Sequence, residues 1–251
     1  MKTRKLTHPL LNGGQETEVH YPITDEDLDN QISEIFESEH YGFVKKPGGV
    51  YVDIGANVGM ATQYFRNWAS KVYSVEPNPD IYEALVKNVG HFPDVKTFNY
   101  GIAHRNGMDF LYSSGGDTPP QTVVKHDNES SHSAVMVKFV SMDDFMKDAG
   151  IDHINLLKVD IEDAEYLVFP SPSFVAVAPK IDTIIGEAHF SINGGFPELI
   201  PDILSDYGFQ TTFPKLKKPN MRKFIKVLDV DTGYTKTYTH DFETIFVAQR
   251  P

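Results

Sequence analysis

The chain of 251 residues contains no cysteine. A disulfide framework, a thiolate zinc site and a thiol nucleophile are therefore excluded. Basic residues are scarce: 23 Lys and Arg stand against 35 Asp and Glu, a net charge of -12. That sign repels phosphate backbones and anionic membrane surfaces, so neither nucleic acid nor a membrane is expected as a partner. No apolar run approaches the roughly 20 residues that cross a bilayer. The start, Met1-Lys-Thr-Arg-Lys5, lacks the apolar stretch of a secretory signal, and a soluble cytoplasmic protein is the expectation. Internal repeats and long low-complexity tracts are also missing. What is present is a chain with 40% hydrophobic and 23% charged residues, both signs interspersed. Such a composition folds, and this length buries a large core.

Short β-branched runs alternate with longer stretches of 3.6-residue period, which reads as α/β. Residues 1–48 are largely polar and are read as an N-terminal helical extension or cap. Its helix spans Asp25 to Ser38, is capped by Thr24 and carries Leu28, Ile32, Ile35 and Phe36 on one side. The remainder, 49–251, is read as one domain. Val50–Ile54 is its first strand, followed by the turn Gly55–Gly59 and a helix striped by Met60, Tyr64 and Trp68. A second strand, Val72–Val75, ends at Glu76, and Asn78 with Pro79 opens the next helix. A third strand around Val95–Tyr100 leads to a hairpin strand at Met108–Tyr112. Residues 113–134, rich in Gly, Ser and Pro, are expected to form a mobile substrate loop, with His126 and His132 exposed spectators. After a strand at Val135–Val140, Ser141 and Asp144 have the spacing of a capping box. Ile154–Ile161 and Ile181–Ile185 read as central parallel strands, and the tail from Phe209, with a turn at Asp231-Thr-Gly233, as antiparallel strands closing the sheet.

In an open α/β sheet, ligands bind beyond the carboxyl ends of the strands, near the point where strand order reverses. Four polar clusters fall on such ends: Asp53–Gly59, Glu76–Asn78, Asp160–Glu165 and Glu187–His189. Gly55 and Gly59 permit a tight turn that presses against a ligand, and Asn57 tolerates positive φ. Neither G-x-G-x-x-G nor G-x-x-x-x-G-K-S/T occurs. An acid directly before the glycines would repel a pyrophosphate and suits a cofactor with positive charge, such as a sulfonium bearing an α-amino group. Glu76, at the tip of the second strand, can accept both hydroxyls of a ribose.

The segments Val52-Asp-Ile-Gly-Ala-Asn-Val-Gly59, Val75-Glu-Pro-Asn-Pro79, Ser141-Met-Asp-Asp144, Leu156-Leu-Lys-Val-Asp-Ile-Glu-Asp-Ala-Glu165 and Ile185-Gly-Glu-Ala-His189 occur in one order. Together they resemble the FkbM-type methyltransferases, which use S-adenosylmethionine. The resemblance spans Gly49 to His189. It implies a class I methyltransferase (Rossmann-like) fold: a seven-stranded, mostly parallel sheet with an antiparallel last strand and helices on both faces. It also implies O-methylation of a small molecule or sugar. By the same resemblance Asp53, Gly55, Asn57 and Gly59 line the methionine portion, Glu76 holds the ribose, Asn78 lies near the adenine, and Gly101 with Ile102 forms a wall beside it. The family has glycine where this chain has Asp163, a departure that bears on the acceptor.

Methyl transfer from a sulfonium is an in-line displacement, and a hydroxyl acceptor must also lose a proton. Asp160, Glu187 and His189 are the candidate bases, His189 having the most suitable ordinary pKa. The same three side chains could instead hold a divalent metal such as magnesium on the acceptor oxygen; spacing does not separate the two. Lys158, inside an apolar strand, is expected to pair with Glu162 or Glu165. Those two acids could equally charge the first turn of a helix, and Phe190, Phe196 and Tyr207 are read as core. The alternatives are an NAD(P)-type oxidoreductase on the same kind of sheet and a catalytically silent cofactor-binding domain.

Overall fold

The β-branched runs sit where a sheet buried on both faces needs them. The computed structural model describes residues 1–42, 45–113, 133–162, 164–189, 199–215, 223–228, 235–240 and 243–251. In chain order the elements are β1 (Lys2–Leu6), β2 (Thr17–Tyr21), α1 (Asp25–Ile32), β3 (Val50–Ile54), α2 (Met60–Phe65), β4 (Lys71–Val75), α3 (Pro79–Val89), β5 (Val95–Phe98), β6 (Gly101–Ala103), β7 (Gly107–Tyr112) and β8 (Ala134–Ser141). The second half adds α4 (Met142–Ala149), β9 (Leu156–Val159), α5 (Glu165–Val168), α6 (Pro172–Val177), β10 (Thr183–His189), α7 (Leu199–Ser205), β11 (Gln210–Lys215), β12 (Lys223–Leu228), β13 (Thr235–His240) and β14 (Glu243–Gln249).

The central sheet runs β5-β4-β3-β9-β10-β14-β11. Strands β3, β4, β5, β9 and β10 are parallel, and β14 is antiparallel to both its neighbours. This is the expected seven-stranded arrangement with a reversed last strand. Strand order reverses between β3 and β9. Alternation along the strands divides the core: Val52, Ile54, Leu157 and Ile184 face a layer with Phe145, Phe169 and Phe174, while Tyr51, Leu156 and Ile185 face Tyr64, Phe65 and the N-terminal residues Leu28, Phe36 and Tyr41. Helices therefore cover both faces. Among the described residues no helix is long and apolar enough to cross a membrane.

Several local expectations are met. Thr24 caps α1 in a reciprocal box with Asp27, and Asn78 caps α3 by accepting from the Asp80 and Ile81 N–H groups, with Pro79 in the first turn. Others differ. The N-terminal segment holds a hairpin, β1 with β2, besides its helix. The buried Asn88 side chain ties that hairpin to the glycine turn, donating to the carbonyls of His20 (2.8 Å) and Val58 (2.7 Å). The helix ends at Ile32 and gives way to a π-helical turn, Ser33–Glu37. Ser141 precedes α4 without a capping box: its hydroxyl donates to Asp143 (2.6 Å), and its own N–H goes to Asn106. The segment β6-β8-β7 forms a separate three-stranded sheet, and β12 with β13 a separate antiparallel pair. Most of the expected loop at 113–134, with His126 and His132, lies outside the described residues, as do Asp163, Phe190, Phe196 and the turn at 231–233.

Candidate active site

One cavity of about 350 Å³ opens at the carboxyl ends of β3, β4, β9 and β10, within the roughly 300–1,000 Å³ of small-molecule sites. Of the residues singled out from sequence, Gly55, Asn57, Glu76, Gly101, Ile102, Lys158, Asp160, Glu162, Glu187 and His189 line it. Asp53, Gly59 and Asn78 do not. They brace the residues that do.

The turn after β3 depends on backbone freedom. Gly55 has φ +76°, and a Cβ there would sit 1.8 Å from the Asp160 carbonyl oxygen, so two strand ends meet with only a hydrogen atom between them. Asn57 occupies the left-handed region at φ +49°, as its short polar side chain permits. Gly59, φ +92°, serves packing: a Cβ would come within 2.9 Å of Leu85 on α3.

Below the turn lies a buried polar network. Asp53 is fully buried; it accepts from the Thr62 hydroxyl (2.7 Å), which also meets Ser74 (2.8 Å). Lys158, directly across from Asp53 in the sheet register, places Nζ 3.3 Å from Asp53, 3.2 Å from Asp160 and 2.7 Å from the Gly55 carbonyl. The partners expected for Lys158, Glu162 and Glu165, are thus replaced by Asp53, opposite it in the register, and Asp160, two residues further along the chain, while Glu165 turns to the Ile161 N–H and His189. Burial alone would lower the Lys158 pKa, but Asp160, Asp53 and Glu187 outweigh it and hold the ammonium well above its ordinary range.

Glu76 sits at the tip of β4. Its Oε1 accepts from the Asn78 N–H (2.8 Å) and its Oε2 from the Asn57 N–H (3.1 Å). Each oxygen keeps a lone pair for a ligand. Burial pushes this carboxyl up to about 7, against the pull of those two N–H groups and Lys158.

Two consecutive residues clamp His189. Glu165, fully buried, accepts from the Ile161 N–H (3.0 Å) and lies 3.2 Å from His189 Nδ1. Tyr166 donates its hydroxyl to the His189 carbonyl (2.6 Å). The other ring nitrogen, Nε2, lies 3.9 Å from Asp160, 3.9 Å from Glu162 and 4.0 Å from Glu187. Burial opposes protonation of the ring, yet Glu165, Glu162 and Asp160 together hold its pKa well above the ordinary value. The sequence reading placed Glu165 in the strand-end cluster Asp160–Glu165 and left its role open between the site and the first turn of a helix; its contact with His189 joins two segments 24 residues apart, which that spacing does not record. Tyr41, also on the cavity, has its phenol pushed well up by burial and by Glu187, Asp160 and Asp53, so it remains a donor.

Among the described residues, the carboxylate that completes a metal-sized group with Asp160 and His189 is Glu162 rather than the expected Glu187. Glu187 groups instead with Glu34 and His40.

The sequence profile described as "Methyltransferase FkbM domain" matches residues 53–211. The chain belongs to the FkbM methyltransferase family. Relatives include the AMB antimetabolite synthetase AmbE of Pseudomonas aeruginosa, 25% identical over 87% of this chain and 12% of that protein. Hexuronic acid methyltransferase AglP of Haloferax volcanii is 25% identical over 66% of this chain and 65% of its own. The 2-O-methyltransferase NoeI of Sinorhizobium fredii is 25% identical over 49% and 56%. The chain thus spans less than two thirds of each of these three relatives.

A cofactor of the FkbM family, S-adenosylmethionine, fits this donor set. Glu76 keeps acceptor capacity for two ribose hydroxyls, the Gly55 turn lets the backbone approach closely, and the surrounding carboxylates suit a positive charge. Asp53, screened from the cavity, would act through Lys158 and Asp160 rather than by touching the ligand.

Proposed function

We propose that the protein transfers a methyl group from S-adenosylmethionine to a hydroxyl oxygen of a small molecule or sugar. The observation that carries this reading is the cavity at the β3/β9 switch point, with the Gly55 turn and the Glu76 carboxylate facing it from adjacent strand tips. Family membership supports it. So do the names of two relatives, one a 2-O-methyltransferase and one a hexuronic acid methyltransferase. When bound, the cofactor supplies an electrophilic methyl on a sulfonium for in-line displacement. The residues of the chain then hold and deprotonate the acceptor. His189, kept as an imidazolium, is a poor proton acceptor and a good positioning cation. The acceptor proton therefore passes to Asp160 or Glu187. Of Asp160→Asn and Glu187→Gln, the variant that removes the base should slow methyl transfer by about 10²-fold and the other by much less, with the affinity for S-adenosylhomocysteine little changed; single-turnover assays with labelled methyl check this.

The Asp160, Glu162 and His189 group favours a second reading, in which a divalent cation on these residues would displace the proton from His189 Nε2 and lower the acceptor pKa. Methyl transfer that is lost in chelator and restored by magnesium would support it; full activity in chelator removes it. An NAD(P)-dependent oxidoreductase is not favoured, since the glycine signature is absent and the family is that of methyltransferases. The net charge of -12 also speaks against nucleic acid as acceptor.

Calorimetric titration with S-adenosylmethionine, S-adenosylhomocysteine and NAD tests the cofactor assignment. Binding of the first two and not the third is expected, and preference for NAD overturns the reading. Glu76→Ala should weaken binding by about 1–3 kcal/mol, the cost of leaving hydroxyl partners unpaired. Because burial pushes the Glu76 carboxyl up to about 7, above its unfolded value, the acceptor-only carboxylate becomes the main form as pH rises through that value. Affinity should climb from pH 6 to 8 in the native protein and stay flat in Glu76→Gln.

A further inference from the structure

The cavity has one wall outside the family-matched residues 53–211. Asp27, Asn30, Gln31, Glu34 and Tyr41 line it from the N-terminal segment. The capping box of Thr24 with Asp27 fixes the start of α1, and Leu28, Ile35 and Phe36 anchor the segment in the same core cluster as Tyr51 and Phe65 on the sheet. With Leu28 and Phe36 fixed inward, the polar residues Asp27, Asn30, Gln31 and Glu34 reach the cavity beside Ile35 and Tyr41.

Charge is the main feature of the lining. Six acidic side chains, Asp27, Glu34, Glu76, Asp160, Glu162 and Glu187, face two cationic ones, Lys158 and His189; burial pushes the Glu76 carboxyl up to about 7, and His40 lies beside Glu34 and Glu187. Both cations are already engaged: Lys158 with Asp53 and Asp160, His189 with Glu165. A donor carrying a sulfonium, an ammonium and a carboxylate adds a net single positive charge, which leaves the cavity negative. An acceptor bearing a carboxylate would meet like charge at this half-buried wall, whereas one bearing an ammonium would be attracted.

Building on the methyl-transfer reading above, we propose that α1 and the turn after it form the acceptor wall, and that the acceptor is a hydroxylated molecule carrying a basic amine. Asp27 and Glu34 select the ammonium; Asn30 and Gln31 offer amide groups to its hydroxyls. This preference is opposite in sign to the hexuronic acid named for the Haloferax relative.

The test is equilibrium binding to the full chain saturated with S-adenosylhomocysteine, using one pyranoside in three forms: 2-amino, 2-acetamido and 6-carboxylate methyl glycosides. The amino form should bind at least about tenfold tighter than the carboxylate, and the ratio should narrow as salt is raised. The isosteric double variant Asp27→Asn/Glu34→Gln should collapse the ratio toward one while leaving S-adenosylhomocysteine affinity unchanged; the thermal midpoint should fall slightly, because Asp27 also accepts the Thr24 N–H in the α1 cap, and Glu34→Gln alone, outside that cap, should lower the ratio with the midpoint unchanged. Carboxylate binding equal to or tighter than amine binding, a ratio unaltered in the double variant, or no binding of the amino form would each overturn the proposal. Failure of S-adenosylhomocysteine itself to bind would instead overturn the cofactor reading on which it rests.

Discussion

Replacing Lys158 with methionine should cost about 3–5 kcal/mol of folding stability, the cost of breaking a buried ion pair from one side. The Lys158 ammonium is the cation across the sheet from Asp53, a carboxylate with no solvent exposure. Methionine fills much of the same volume, so the loss is electrostatic rather than a cavity effect. Asp53 would be left with the Thr62 hydroxyl, and Asp160 would lose the contact that fixes it at the cavity. Denaturant unfolding at pH 7 measures the change. The double variant Asp53→Asn/Lys158→Met should regain a substantial part of it, because a neutral amide no longer demands a cation. A loss below about 1 kcal/mol in the single variant would mean that water reaches Asp53 and that the buried network is not what supports the turn.

Gly55→Ala should be comparably severe, and it should abolish cofactor binding as well. A non-glycine residue at φ +76° is strained by about 1–3 kcal/mol. The added methyl would also stand 1.8 Å from the Asp160 carbonyl oxygen, a backbone atom that cannot move aside without parting β3 from β9. Overpacking of this kind adds about 1–3 kcal/mol. Gly59→Ala is the informative comparison. Its nearest contacts are the side chains of Leu85 and Val89, which can shift, so stability should fall while calorimetry still detects S-adenosylhomocysteine. If Gly55→Ala binds as tightly as the native protein, the turn is not the cofactor's backbone platform.

Much of the sheet was legible because its signals are local. A β-branched run followed by Gly55 and Gly59 marks β3 and its turn, and Asn78-Pro79 marks the start of α3. The N-terminal hairpin was hidden for a physical reason: β1 is exposed along nearly its whole length, so no alternation of polar and apolar residues records it, and its partner is anchored mainly through Val19 and Tyr21. Ser141 misled because two nearby aspartates accept its hydroxyl proton, turning a potential cap into a donor.

The site shows the same division. Residues at strand tips, such as Glu76, Asp160 and His189, could be found from where the strands end. The pairing of Lys158 with Asp53 could not, since it depends on register between strands more than 100 positions apart. Asp53 itself carries the right chemistry for a cofactor ligand but points into the protein, a direction that motif spacing does not encode. The acidic wall from α1 was likewise invisible, because nothing in a polar amphipathic helix states which cavity its polar face will meet.

The most direct test is a crystal structure of the complex with S-adenosylhomocysteine. Both ribose hydroxyls should lie within hydrogen-bond distance of the Glu76 carboxylate, with the methionine portion against the Gly55–Asn57 backbone and the sulfur turned toward Asp160 and His189. A ligand seated elsewhere, with Glu76 contacting only the Asn57 and Asn78 N–H groups, would contradict the account.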